Sequence, residues 1–109
     1  MTKPQFEKLV YKIAKKMKLD KNIVDICWFR QSKPNEKGDI VTGVASFSNV
    51  LYFNELQIID MYKTSINELI IHELSHLLQY KKEFKNDKGH DAEFFKDFKY
   101  YFKKLKNIK

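Results

Sequence analysis

The feature that most restricts this chain is a helix-forming run with almost no polar side to offer water. Ile66, Leu69, Ile70, Leu74, Leu77 and Leu78 wrap most of a helical wheel, so the segment calls for burial against both a sheet and another helix. Into that surface the sequence sets His72, Glu73 and His76. Polar side chains in such surroundings are costly unless they are paired or bound to a cation. Residues four apart on a helix lie one turn above each other on the same face. His72 and His76 can therefore aim two imidazoles at one metal ion, and Glu73 can reach a water on that ion and take its proton. A bland alternative makes the three residues ordinary surface positions of an amphipathic helix. Against it stand Ser65 and Glu68, which form a capping-box pattern just before the apolar run, and the distribution of histidine. Two of the three His are in this motif, and the third, His90, follows in Gly89-His90-Asp91-Ala92-Glu93-Phe94. Imidazole ligands with an open position suit a catalytic Zn2+ ion.

The rest of the chain reads as a scaffold for that helix. Residues 4–19 carry Phe6, Leu9, Val10, Ile13, Ala14 and Met17 on one stripe, with Pro4 at home in a first turn and lysines gathering toward the C-terminus, where the helix dipole favours cations. Residues 23–30 are β-branched and aromatic and read as a strand; Pro34-Asn35 and Gly38-Asp39 mark a loop. Residues 40–48 read as a second strand, in which Gly43, Ala45 and Ser46 leave little bulk; such residues can mark a weak strand or a bulge, or let another backbone approach closely. Residues 50–53 make a short third strand ending at Asn54, and 56–61 a short helix or turn. The last helix, about 90–106, shows Phe94, Phe98, Tyr101, Phe102 and Leu105 at helical spacing. The expected class is α+β, in one domain spanning 1–109: an N-terminal helix, a small three-stranded sheet, the motif helix and a C-terminal helix.

Composition narrows the function classes. A hydrophobic share of 43% with 15% aromatic residues is enough for a real core, which excludes a disordered chain. The single Cys27 excludes an intramolecular disulfide and a cysteine zinc ribbon; in its apolar run it reads as a packed residue. No apolar run approaches the ~18 residues of a membrane span, and Met1-Thr2-Lys3-Pro4 lacks the apolar core of a secretory leader. The expectation is a cytoplasmic protein that does not engage membranes. A formal charge of +7 suggests an acidic partner such as nucleic acid. Yet every basic residue except Arg30 is Lys, and Arg is the residue favoured for bidentate phosphate and base contacts. Solvated helix faces account for most of these lysines.

A catalytic zinc usually has three protein ligands and one water. His90 is the leading third ligand, since a turn closed by Gly89 can bring the last helix back over the motif helix. At this point the chain resembles a family. His72-Glu73-x-x-His76 followed by Gly89-His90-x-x-Glu93-Phe94 is similar to the SprT/Spartan-type zinc metallopeptidase domain. The resemblance implies a zincin-like minimal metallopeptidase fold, His72, His76 and His90 as metal ligands, and Glu73 as the catalytic base. Those relatives commonly carry a cysteine zinc ribbon or a DNA-binding tail, which this sequence lacks, so a DNA-repair role is not carried over. The chain also resembles the minimal gluzincin peptidases, which use a Glu on the closing helix as third ligand; Glu93, with Asp97 four residues on, matches that spacing.

The expected function is zinc-dependent hydrolysis of peptide bonds in a protein or peptide substrate, by a metal-activated water with Glu73 as general base and proton shuttle. The electrophilic donor for the tetrahedral intermediate can come from Tyr62, Tyr80, Tyr100, Tyr101 or Arg30, and nothing in the sequence selects among them. The substrate is expected to extend along an edge strand, with residues 43–47 the candidate. The alternative is a metal-stabilised basic module that binds nucleic acid or regulates a partner, with little or no catalysis.

Overall fold

The structure is a computed structural model, and it describes residues 1–82 and 92–108. In chain order the elements are helix α1 (Lys3–Lys16), strands β1 (Asp25–Phe29), β2 (Gly43–Ala45) and β3 (Val50–Asn54), the one-turn helix α2 (Glu55–Ile58), the long helix α3 (Lys63–Lys82) and helix α4 (Ala92–Leu105). A 3₁₀ turn, Asp20–Asn22, joins α1 to β1. The class is α+β, as expected.

Helix α1 begins where its chemistry allows. Thr2 caps it and Gln5 returns the bond to the Thr2 backbone, the reciprocal arrangement that satisfies two orphan donors. It ends earlier than its apolar stripe suggests. Lys18 takes a left-handed conformation, φ 60°, while the Lys18 N–H bonds to Lys15 O (3.1 Å) and the Leu19 N–H to Ala14 O (2.8 Å). This is a Schellman closure, and it tucks Met17 and Leu19 into the core.

The sheet order is β1-β3-β2, with β1 and β3 parallel and β3 and β2 antiparallel. Alternation along the strands buries Ile26, Ala45, Leu51 and Phe53 on one face and leaves Val44 and Tyr52, which are paired across β2 and β3, on the other. Phe6 of α1 meets the inner face edge-on, 5.2 Å from Trp28 and 4.7 Å from Phe53 between ring centroids. Such contacts add to the area they bury.

The second strand is shorter than the stretch 40–48 that reads as one. Asn54, fully buried, donates from Nδ2 to Gln31 O and Val41 O (2.9 Å each) and accepts at Oδ1 from the Gln31 and Leu56 N–H groups. The Val41 N–H in turn donates to Gln31 Oε1 (3.0 Å). Side chains have claimed the Val41 peptide groups, so no ladder forms there. Between β2 and β3 the chain turns over Phe47-Ser48-Asn49, with Asn49 left-handed (φ 64°) and Ser46 N–H bonded to Val50 O. A three-residue hairpin loop uses this conformation at its last position.

Helix α3 starts at Lys63, and the Tyr62 carbonyl accepts the Ile66 N–H. The capping-box pattern at Ser65 and Glu68 is therefore not the helix start, because half-buried Met61 brings the chain into the core and the helix begins soon after it. Helices α3 and α4 run antiparallel. Buried Asn67 near the start of α3 donates to Lys106 O and Ile108 O, satisfying carbonyls beyond the end of α4. At the opposite end Lys82 bonds Asp97 (2.8 Å). Among the described residues no helix is long and apolar enough to cross a membrane.

Candidate metal centre

Helix α3 packs against α4, β2 and α1, so its polar residues have been carried into or beside the core. Ile70, Ile71, Leu74 and Leu77 are buried, and Ser75 among them donates back to Ile71 O (2.7 Å). His72 and His76, one turn apart, hold their rings 5.1 Å apart at 74°. Glu73 lies beside them and is only 5% exposed. The ligand atoms of His72, Glu73 and His76 all lie within 4.8 Å of one another, a group that could hold a metal ion.

Two helices shape this group. Phe94 of α4, fully buried, stacks on the His76 ring at 4.3 Å and meets the His72 ring edge-on at 5.1 Å; Phe98 meets His72 at 5.6 Å. Tyr80, one turn beyond His76, lies nearly parallel to it at 6.3 Å. The imidazoles are thus fixed between aromatic faces. Gln79 adds a polar restraint: its Oε1 lies 3.4 Å from His76 Nδ1. With its proton on Nδ1 the imidazole would donate to this amide oxygen and could offer Nε2 to a metal. Gln79 escapes a sequence reading. The signal is its position three residues after His76, where two side chains share a helix face.

The Glu73 carboxyl is pushed up to about 7 by burial. Among the described residues it has no hydrogen-bond or ion-pair partner. A buried acid in that condition is costly when ionised. A cation held by the neighbouring imidazoles would relieve the cost, so the donor set fits a bound metal ion.

Glu93 does not join the group. It is exposed on α4 and turns its Oε1 to Lys82 Nζ (3.4 Å), which also bonds Asp97. Hydrogen bonding to Asp97, ahead of the weaker contact to Glu93, holds the Lys82 ammonium above its ordinary range. His90 lies outside the described residues. Of the five donors that the sequence offers for a developing oxyanion, Tyr80 is the one set against His76. Tyr62 is 83% exposed, Arg30 pairs with Glu55, and the Tyr100 hydroxyl is 2.6 Å from Lys104 Nζ.

The edge strand completes the surroundings. A Cβ at Gly43 would lie 3.3 Å from Glu73 Oε2 and 3.2 Å from Leu69 Cδ1. The small residues of β2 therefore admit the chain's own helix α3. A cleft lined by Thr42, Met61, Ser65, Glu68, Leu69 and His72 opens beside the first imidazole. Neither models of known protein families, nor curated proteins, nor solved structures match this chain.

Proposed function

We propose that this chain is a zinc-dependent metallopeptidase with a zincin-like fold. The observation that carries the reading is the convergence, on a single helix turn, of two imidazoles and one buried carboxyl that has no partner among the described residues. In this reading His72 and His76 hold the ion through one ring nitrogen each, and His90 is the third protein ligand. When bound, zinc lowers the pKa of a water and polarises a carbonyl. Glu73 takes the proton of the attacking water and hands it to the leaving nitrogen. A carboxyl that burial has already made more basic is suited to accept that proton. Phe94, Tyr80 and Phe98 flank the half-buried imidazoles and orient them, and Gln79 holds His76 in the tautomer that binds. Substrate lies along the outer edge of β2 as an added strand. Its side chains beside the ion enter the cleft next to His72.

A second reading is a basic nucleic-acid-binding module stabilised by the same ion. It draws on a surface where Lys16, Lys18 and Lys104 gather around exposed Tyr100 and half-buried Tyr101, since cations beside an accessible ring suit a single-stranded polyanion.

The deciding experiment is native mass spectrometry of zinc-supplied wild type, His90→Ala and Glu93→Ala, followed by a peptide-hydrolysis assay of wild type and Glu73→Ala. One zinc per chain, lost in His90→Ala and kept in Glu93→Ala, with turnover abolished by Glu73→Ala, is the expected pattern. Zinc lost in Glu93→Ala instead moves the third ligand and leaves the chemistry intact. A wild type that takes up no zinc sinks the peptidase reading. Unchanged nucleic-acid binding in a zinc-loaded but hydrolytically inert wild type favours the module.

A further inference from the structure

One hydrogen bond crosses from the motif helix to the open edge of the sheet. The Tyr80 hydroxyl donates to Ala45 O at 3.2 Å. Which side of β2 that carbonyl faces follows from the pairing. Asn54 N–H bonds to Thr42 O (2.9 Å) and Ser46 N–H to Val50 O (3.0 Å), so residues 42 and 46 direct these groups to β3. Antiparallel alternation turns the peptide groups of Gly43 and Ala45 the other way. In the described sheet β3 is the one neighbour of β2. Ala45 O is thus an outward acceptor on an edge strand, the kind of group through which an incoming strand adds to a sheet.

We propose that Tyr80 guards this edge: its hydroxyl occupies Ala45 O, and a peptide pairing with β2 must displace it. The proposal rests on the peptidase reading above and adds how substrate gains entry. The Tyr80 ring packs against two others, 4.5 Å from the Phe47 ring and 6.3 Å from the His76 ring between centroids. Its hydroxyl is therefore aimed by packing rather than by the bond itself. At 3.2 Å that bond is longer than the usual O–H···O contact of about 2.7–2.8 Å, and a peptide N–H can replace it. The exchange trades one hydrogen bond at Ala45 O for another. Segments able to adopt an extended strand gain entry, whereas a chance side-chain contact does not open the edge. Tyr80 is a specificity-determining residue in this scheme, and the same ring that flanks His76 links edge occupancy to the metal centre.

The test is fluorescence-anisotropy binding of labelled, oxidised insulin B chain to zinc-loaded Glu73→Gln protein, with and without Tyr80→Phe. Phenylalanine keeps the ring against Phe47 and His76 and removes the competing hydroxyl. Zinc content, read by native mass spectrometry, should not change. Affinity should tighten by about threefold in the double variant, the scale of one net hydrogen bond. Equal or weaker binding overturns the guard. If neither protein binds the peptide while wild type hydrolyses it, substrate does not use this edge; the guard falls and the peptidase reading stands. If neither binds and zinc-loaded wild type hydrolyses nothing, both fall.

Discussion

Gly43 and Glu73 are in contact range across the interface of β2 and α3: a single added methyl group on residue 43 would sit 3.3 Å from the carboxyl oxygen Oε2. The same methyl would press on Leu69 Cδ1 at 3.2 Å and Phe53 Cδ1 at 3.3 Å. Phe53 is fully buried and has nowhere to go. Overpacking of this kind costs about 1–3 kcal/mol. Gly43→Ala should therefore lower stability by about 1–2 kcal/mol in urea denaturation. Because the carboxyl is one of the three groups displaced, the proposed peptide hydrolysis should fall by about tenfold even where the variant is fully folded, as expected if Glu73 is the misplaced general base. A variant with wild-type stability and turnover would mean that β2 does not hold Glu73 in place.

The burial of Glu73 makes a prediction about pH. Its folded-state carboxyl titrates near 7 against an ordinary value of 4.5. Below pH 4.5 the group is protonated in both states and imposes no penalty. Between 4.5 and 7 the folded chain holds the extra proton, so stability falls as pH rises, and above 7 the full cost of a buried charge is present. A shift of this size corresponds to about 3 kcal/mol. With a chelator present, wild type should lose roughly that much relative to Glu73→Gln between pH 4.5 and 7. Parallel stability curves for the two proteins would show that Glu73 is not desolvated. Added zinc should narrow the gap, since a nearby cation favours the ionised form.

How much of this was legible in sequence differs from residue to residue. The motif helix was readable because its evidence is local: a helical repeat of Ile and Leu, interrupted by side chains too polar to be there without a reason. The pairing of β1 with β3 was not, because a parallel register depends on contacts far apart in sequence. Residues 40–42 look like strand by composition, yet Asn54 and Gln31 take the Val41 peptide groups from ten and more positions away. Ser65 and Glu68 form a valid capping pattern that the packing of Met61 pre-empts. The small residues around Gly43 were readable as a site of close approach. That α3 itself would be the approaching element was not, since the sequence alone does not say which surface comes near. Gln79 is invisible for a different reason. A glutamine on a helix is ordinary, and only its contact with His76 Nδ1 distinguishes it.

Lys18 ends α1 in a conformation that a side chain resists. Left-handed backbone costs an L-residue about 1 kcal/mol relative to glycine, and here the position is imposed by the closure that buries Leu19. Lys18→Gly should raise stability by about 1 kcal/mol, or about 4–8 °C in melting temperature for a domain of this size, with zinc content unchanged. Asn49, also left-handed at φ 64°, should gain only a few tenths of a kcal/mol from the same change, because asparagine tolerates this region. Equal gains at the two sites would show that backbone conformation is not the cause.

Asn54 is the residue through which the far loop reaches the site. Its amide nitrogen holds Gln31 O and Val41 O, and its backbone N–H holds Thr42 O, the residue before β2. Asn54→Asp keeps the shape and the acceptor but removes both side-chain donors, placing a carboxylate against two carbonyls. Leaving buried polar groups in that state costs about 1–3 kcal/mol each, so a loss of about 3 kcal/mol or more is expected. The consequence should not stop at the loop. The Val41 N–H, which donates to Gln31 Oε1, should exchange faster as the loop loosens, and Thr42, still held by the residue 54 N–H but no longer steadied through Val41, should let Gly43 drift from Glu73. On the peptidase proposal, turnover in the folded fraction should then fall together with the protection of that N–H. If Val41 exchanges freely and hydrolysis is untouched, β2 is positioned by α3 alone and the Asn54 network serves only the loop.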